Sequence, residues 1–251
     1  MFSLEISCTP DVRDLLIADL YELGSEGIVE LDDSRVRAFF ADDAAWPELA
    51  GRFPRATRRE EEDRDWVQSA RDLLQPMEVG ARFFLVPVWR DDPEPAGRFR
   101  ITINPGMAFG TGVHETTQLA IEALERHVTP GMSMLDVGTG SGILAQAARL
   151  LGAGRVYGCD IDPLAVEISG GGFVGSVDAV RTGSMDLVVA NISPEAIVSL
   201  APDLVRVLKP NSVLLASGFE LAEVGMVRDR LPPAEEVNTK GNWALVAVRK
   251  Q

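Results

Sequence analysis

The sequence predicts an α/β protein: a parallel, doubly wound sheet that ends in an antiparallel hairpin, preceded by a smaller α+β unit. Three observations carry this expectation. From Thr111 onward, helical periodicity alternates with short, fully apolar strand segments, the pattern of a parallel sheet covered on both faces. The last two segments, Glu235–Thr239 and Trp243–Arg249, flank the turn Lys240-Gly241-Asn242 and read as a hairpin. Residues 1–57 differ: Phe2, Leu4 and Ile6 alternate with polar residues, which suits a half-buried strand.

In the first unit, Thr9-Pro10 supplies an N-cap and an N1 proline for a helix carrying Leu15, Leu16, Ala18, Leu20 and Leu23, which Gly24 ends. Ile28–Leu31 and Val36–Phe40 flank Asp32-Asp33-Ser34-Arg35 as a hairpin. A short helix over Ala44–Phe53 and a strand near Arg55–Arg59 complete a β-α-β-β-α-β order, the ferredoxin-like arrangement. The charge run Glu60–Asp65 reads as a solvated face or linker, followed by a helix from Trp66 to Leu74 stopped by Pro76. The domain linker is expected at 58–80, with the second domain over 81–251. There, Phe83–Trp89 and Phe99–Ile103 are strands joined by a loop rich in turn formers. The alternation that follows is strand Ser133–Val137, helix Ile143–Leu151, strand Arg155–Cys159, strand Asp186–Ala190, helix Glu195–Leu208, strand Ser212–Ser217 and helix Leu221–Leu231.

Composition narrows the function classes. The chain has 251 residues, 46% hydrophobic and 25% charged, the usual globular mix. No apolar run approaches the ~18 residues of a membrane span, and Met1–Glu5 lacks the features of a secretory signal, so a cytoplasmic protein is expected. Cys8 and Cys159 alone make neither a disulfide framework nor a four-ligand metal site. The net charge of −14 repels phosphate backbones, which argues against direct DNA binding, and it suits a basic protein partner.

Asp136-Val137-Gly138-Thr139-Gly140-Ser141-Gly142 lies between a predicted strand and a predicted helix, the context in which a glycine turn lets a ligand approach the backbone. The spacing is Gly-x-Gly-x-Gly, not the Gly-x-Gly-x-x-Gly of dinucleotide sites, which favours a ligand without phosphates. Asp160 follows at the end of the next strand, where a carboxylate accepts hydrogen bonds from ribose hydroxyls. Asp162-Pro163 reads as a helix start with Asp162 as its N-cap, and Cys159 as buried packing.

The stretch Asn104–Thr117 holds three glycines, a proline and Phe109, and it opens a helix; it reads as a structured wall over a ligand with Phe109 as an apolar plate. Thr116 serves equally well as a cap, and His114, without a visible partner, reads as a cap or loop anchor rather than a base. Asn191-Ile192-Ser193-Pro194 follows a strand, so Asn191 faces the same crevice as Gly138 and Asp160. Its side-chain carbonyl can accept hydrogens from an amine but is no strong base; a turn asparagine with Pro194 at N1 is the alternative.

These residues together resemble the seven-stranded, Rossmann-like, S-adenosylmethionine-dependent methyltransferases. Asn104–Thr117, read with Asp186–Ile192, is similar more narrowly to the bacterial ribosomal protein L11 methyltransferase family. The similarity extends to Tyr21–Gly27, Asp65-Trp66 and Val79–Trp89. The resemblance implies methylation of lysine side-chain and N-terminal amines of that large-subunit protein, recognised by the N-terminal domain. It also implies that Thr117, Gly138, Asp160 and Asn191 contact S-adenosylmethionine, with Phe109 and Gly110 lining the site and Asp136 and Gly140 of the glycine turn counted among the cofactor-binding residues. Asn191 and the carbonyl of Ile192 would receive the target amine. Neither a metal nor a general base is expected, and a monomer suffices.

One departure stands out. Between Asp160 and Asp186 the family has a full helix, a strand and a connection. Here Asp162–Ser169 gives barely two turns before Gly170-Gly171-Gly172, and only Phe173–Val177 remains as a strand candidate. A right-handed crossover needs about a dozen residues, so this connection is near the minimum. Val177-Asp178 is the candidate for an adenine contact. The shortening motivates a runner-up, a catalytically degenerate ribosome-binding scaffold; a nicotinamide oxidoreductase rests on the glycine turn and the acid alone.

Overall fold

The computed structural model describes residues 2–9, 12, 16–17, 19–21, 23–32, 34–41, 46–60, 75–104 and 114–251. The chain divides into two compact units, Met1–Leu73 and Leu74–Gln251. The expected helix from Trp66 to Leu74 and the loop residues 105–113, with Phe109 and Gly110, lie outside the described residues.

The first unit is a four-stranded antiparallel sheet of β1 (Phe2–Ser7), β2 (Gly27–Asp32), β3 (Arg35–Phe40) and β4 (Thr57–Glu60), in the order β2-β3-β1-β4. The alternation noted in the sequence places Phe2, Leu4 and Ile6 of β1 with Val36, Ala38 and Phe40 of β3 on one face, packed with Leu20 and with Leu49 of helix α1 (Trp46–Arg52). Arg58 of β4 lies over the rings of Phe2 and Trp46, 4.4 and 4.7 Å from their centroids.

In the second unit, β5 (Met77–Val79), β6 (Phe83–Pro87) and β7 (Phe99–Ile103) form a small mixed sheet. Strands therefore occupy both ends of the stretch 58–80, since β4 runs to Glu60 and β5 begins at Met77. Helix α2 (Glu115–His127) leads into the main sheet, and its Glu125 carboxylate accepts from the amides of Ala81 and Arg82 at 2.9 and 2.7 Å.

The main sheet comprises β8 (Ser133–Val137), β9 (Arg155–Asp160), β10 (Phe173–Val174), β11 (Met185–Asn191), β12 (Leu208–Glu220), β13 (Ala234–Lys240) and β14 (Trp243–Arg249). Their order is β10-β9-β8-β11-β12-β14-β13. The first five pair in parallel, and β14 is antiparallel to both β12 and β13, as the hairpin signal requires. Apolar clusters on the two faces, one around Leu119, Leu144 and Val189 and one around Val188, Ile197 and Leu204, explain why the central strands read as unbroken apolar runs.

The helices α3 (Ile143–Leu150), α4 (Pro163–Ile168), α5 (Pro194–Val207) and α6 (Val224–Arg228) connect these strands. Three boundaries differ from expectation. The strand sought over 173–177 keeps only Phe173 and Val174, because a 3-10 turn begins at Val177. The predicted helix Leu221–Leu231 shortens to a 3-10 turn followed by α6. Conversely, β12 begins at Leu208, before Pro210, where the amide of Asn211 finds the carbonyl of Lys250 at 2.8 Å.

Candidate active site

The carboxyl ends of β8, β9 and β11 meet where the strand order reverses, between β8 and β11, the position at which open parallel sheets bind ligands. A cavity of about 1050 Å³ opens there. Its walls come from Val137–Ser141 at the end of β8, Asp160 and Ile161 at the end of β9, Gly175 and Ser176 after β10, Asn191–Ser193 at the end of β11, Gly218 of β12, Trp243 of β14, and Thr116 and Thr117 of α2. Of the residues singled out in the sequence, Thr117, Gly138, Gly140, Asp160, Asn191 and Ile192 thus come together.

The turn after β8 is held against β9. The amides of Gly138 and Thr139 both donate to the carbonyl of Cys159, at 2.9 and 3.0 Å. Gly140 donates its amide to Asp160 Oδ2 at 3.0 Å, and the amide of Asp162 donates to Oδ1 at 3.0 Å. Two backbone donors therefore fix the Asp160 carboxylate at the cavity wall, with lone pairs left for further donors. Asp162 caps α4 through the amide of Leu164 at 2.9 Å, as its place before Pro163 suggested.

Asp136 stands apart from the cavity wall. It is buried, and the Thr139 hydroxyl donates to its Oδ2 at 2.8 Å, so it braces the turn from behind. Strand alternation accounts for the difference, since Asp136 and Val137 point to opposite faces. Burial pushes its carboxyl up to about 6, against the Thr139 hydroxyl and the Ala145 amide in the first turn of α3. Burial also pushes the Cys159 thiol up to about 12, which leaves it unreactive packing.

On the other side, β11 is hydrogen-bonded to both neighbours, with Ala190 opposite Val137 and Asn191 opposite Ser217. Asn191 Nδ2 donates to Thr117 Oγ1 at 3.4 Å. Its Oδ1 is buried and has no hydrogen-bond partner among the described residues, an acceptor left open at the cavity. Two glycines fix the next residue. A Cβ on Gly138 would stand 2.3 Å from Ile192 Cγ2, and one on Gly218 would stand 2.2 Å from Ile192 O. Both glycines hold positive φ, 70° and 102°, so neither tolerates a side chain on either ground. Ser193 then caps α5 through the amide of Ala196, with Pro194 at N1.

His114 is the N-cap of α2: its Nδ1 accepts from the Thr116 amide at 3.3 Å and lies 2.8 Å from the Thr116 hydroxyl. Its ring meets Trp243 edge-on at 4.5 Å. This is the cap expected of it, and Thr116 consequently sits inside the helix. The adenine-side expectation at Val177-Asp178 shifts: Val177 is fully buried in the core, and the wall is made by Gly175 and Ser176. Ile161, Gly218 and Trp243 were not identified from the sequence. Gly218, the only glycine within β12, was the one available signal. No cluster of three or more His, Cys, Asp or Glu that could hold a metal occurs among the described residues, and none of the described helices is long and apolar enough to cross a membrane.

Comparison with known proteins places this geometry. The family model described as ribosomal protein L11 methyltransferase matches residues 32–251. A ribosomal protein L11 methyltransferase of Pelotomaculum thermopropionicum is 39% identical over 217 residues, which covers 80% of this chain and 70% of that protein. One from Symbiobacterium thermophilum is 42% identical, with 69% of this chain and 60% of that protein covered. One from Caldicellulosiruptor saccharolyticus is 30% identical with 99% of both chains covered. That last alignment runs over 300 residues, longer than the 251 of this chain, so the relative carries segments that this chain lacks. A solved ribosomal protein L11 methylase from Lactobacillus delbrueckii subsp. bulgaricus superposes with a TM-score of 0.66 at 30% identity, covering 71% of this chain and 100% of that one. The chain belongs to the ribosomal protein L11 methyltransferase family.

Proposed function

We propose that this chain transfers methyl groups from S-adenosylmethionine to amines of ribosomal protein L11, on lysine side chains and at the N-terminus. The observation that carries the reading is the open acceptor of Asn191, buried at the cavity beside the backbone of Ile192. The cavity also suits the donor. Backbone at Gly138 is bare, Asp160 is oriented by two amides at the place where a ribose diol is held, and the lining carries no lysine or arginine among the described residues. When bound, S-adenosylmethionine supplies an electrophilic methyl group on a positively charged sulfur.

The residues of the chain prepare the amine. A free lysine amine has a pKa near ~10.4, so at neutral pH it arrives protonated. A site closed off from water disfavours the charged form and lowers that value. The Asn191 amide oxygen and the Ile192 carbonyl accept N–H bonds from the neutral amine, which fixes where its lone pair points. Neither oxygen is a base, so the chain acts chiefly by proximity and aim, effects that can supply ~7–11 kcal/mol. The surplus of negative charge, −14 over the chain, steers a basic protein toward it. The small N-terminal unit is the part assigned to holding that protein.

Incubating the purified chain with S-adenosylmethionine and purified L11, then mapping the product by fragment mass, tests this. Methylene increments on lysine and N-terminal amines are expected. Cofactor binding without any increment would contradict the enzymatic reading and favour a ribosome-binding scaffold.

A further inference from the structure

The cofactor-side wall of the cavity is the least supported part of the sheet. Strand β10 has two residues, and the connection that reaches it from β9 runs only from Ile161 to Gly172. Gly175 is tied to β9 by one bond, its amide to the carbonyl of Asp160 at 2.8 Å. Gly175 and Ser176 then form the wall, and a 3-10 turn over Val177–Ala179 follows. The amide of Val180 closes that turn onto Val177 O at 3.1 Å, while the carbonyls of Asp178 and Val180 face away from any strand ladder.

Arg206, near the end of α5, satisfies them. Its Nη1 donates to Val180 O at 2.8 Å and to Thr182 Oγ1 at 3.0 Å, and its Nη2 donates to Val177 O at 3.3 Å and Asp178 O at 3.2 Å. Its Nε donates to Asp203 Oδ1 at 2.6 Å on the same helix. A guanidinium has five N–H donors, and all five are engaged here. The backbone carbonyl of Arg206 also accepts from the amide of Gly183 at 3.1 Å, so the same residue holds the far end of the loop. Its side chain belongs to none of the cavity walls.

We infer that Arg206 is a positioning residue for cofactor binding: it clamps residues 177–183 and thereby sets the Gly175–Ser176 wall, replacing support that a longer connection would give. The inference rests on the reading that this cavity takes S-adenosylmethionine. A planar guanidinium reaches four acceptors along one loop, which a lysine ammonium with three donors cannot reproduce.

Calorimetric titration with S-adenosylhomocysteine, together with steady-state methylation of L11, tests it. Arg206→Ala is expected to weaken S-adenosylhomocysteine about tenfold, the worth of one charge-assisted hydrogen bond, while turnover at saturating cofactor and KM for L11 stay within about twofold. Arg206→Lys should fall between native and alanine, and Thr182→Val, which removes one acceptor, should produce a smaller weakening of the same kind. If Arg206→Ala does not fold, the lysine and Thr182 variants carry the comparison. Equal S-adenosylhomocysteine affinity in native and variant chains overturns the inference alone, as does a parallel fall of turnover and both affinities in a folded variant. Absence of binding by the native chain overturns the cofactor reading as well.

Discussion

The two sides of the cavity are built by different means. On the Asn191 side, β11 lies between two parallel neighbours, and the following residue is wedged between Gly138 and Gly218. Its strand residues Val188, Val189 and Ala190 are wholly buried. On the Asp160 side, the sheet ends in a two-residue strand, and Ile161, Leu164 and Val174 are 82%, 55% and 56% exposed. The Asn191 side is thus fixed by the interior of the sheet, whereas the Asp160 side is held by individual hydrogen bonds. Changes on the first side should act on stability and turnover, and changes on the second on cofactor affinity.

The largest effect belongs to Gly218→Ala, which brings a Cβ within 2.2 Å of Ile192 O at a φ of 102°. Denaturant unfolding should show a loss of about 3–5 kcal/mol, and a loss below about 1 kcal/mol would mean that Ile192 is not wedged.

Asp136, beneath the turn that joins the two sides, sharpens the comparison through pH. Its folded-state carboxyl is raised to about 6 from an ordinary 3.8, so the folded chain holds this proton more tightly than the unfolded one. The group therefore costs stability as pH climbs from about 4 to about 6, and the full cost, about 3 kcal/mol, is present above that. Asp136→Asn carries no charge. Its stability relative to the native chain should rise across this window and stay level at higher pH; a flat difference throughout would show that the carboxyl is not perturbed.

Asn191→Ala should lower turnover on the order of 10²-fold while S-adenosylmethionine affinity stays within about threefold. Affinity lost with turnover retained would reverse the assignment of the two sides. A pair of valine truncations makes the smallest contrast. Val189→Ala, in the buried strand, should cost about 2–3 kcal/mol, and Val174→Ala, at the exposed edge, no more than about 0.5 kcal/mol. Equal costs would mean that the edge is as well packed as the centre.

Much of the site was legible because its signals are local. A glycine turn between strand and helix, an aspartate ending the next strand and an asparagine ending a third each mark the carboxyl edge of a parallel sheet, and all three face the cavity. The burial of Asp136 was not legible, because the turn pattern reads the same whether the carboxyl lines the cavity or turns into the core. Ile161, Gly218 and Trp243 reach the cavity from separate strands, and their neighbours in sequence say nothing of where those strands meet. The fold followed the same division. Parallel strands and the closing hairpin came through by apolar pattern, while the end of β10 was lost because Val177 is as apolar as a strand residue yet packs from a 3-10 turn.

The central claim is that so short a cofactor-side wall still makes a working site. Calorimetric titration of the whole chain with S-adenosylmethionine, beside Asp160→Ala, tests it most directly. Micromolar binding by the native chain, lost in the variant whose carboxylate no longer joins Gly140 to Asp162, is the expected result. No binding by the native chain, or undiminished binding by Asp160→Ala, would contradict it.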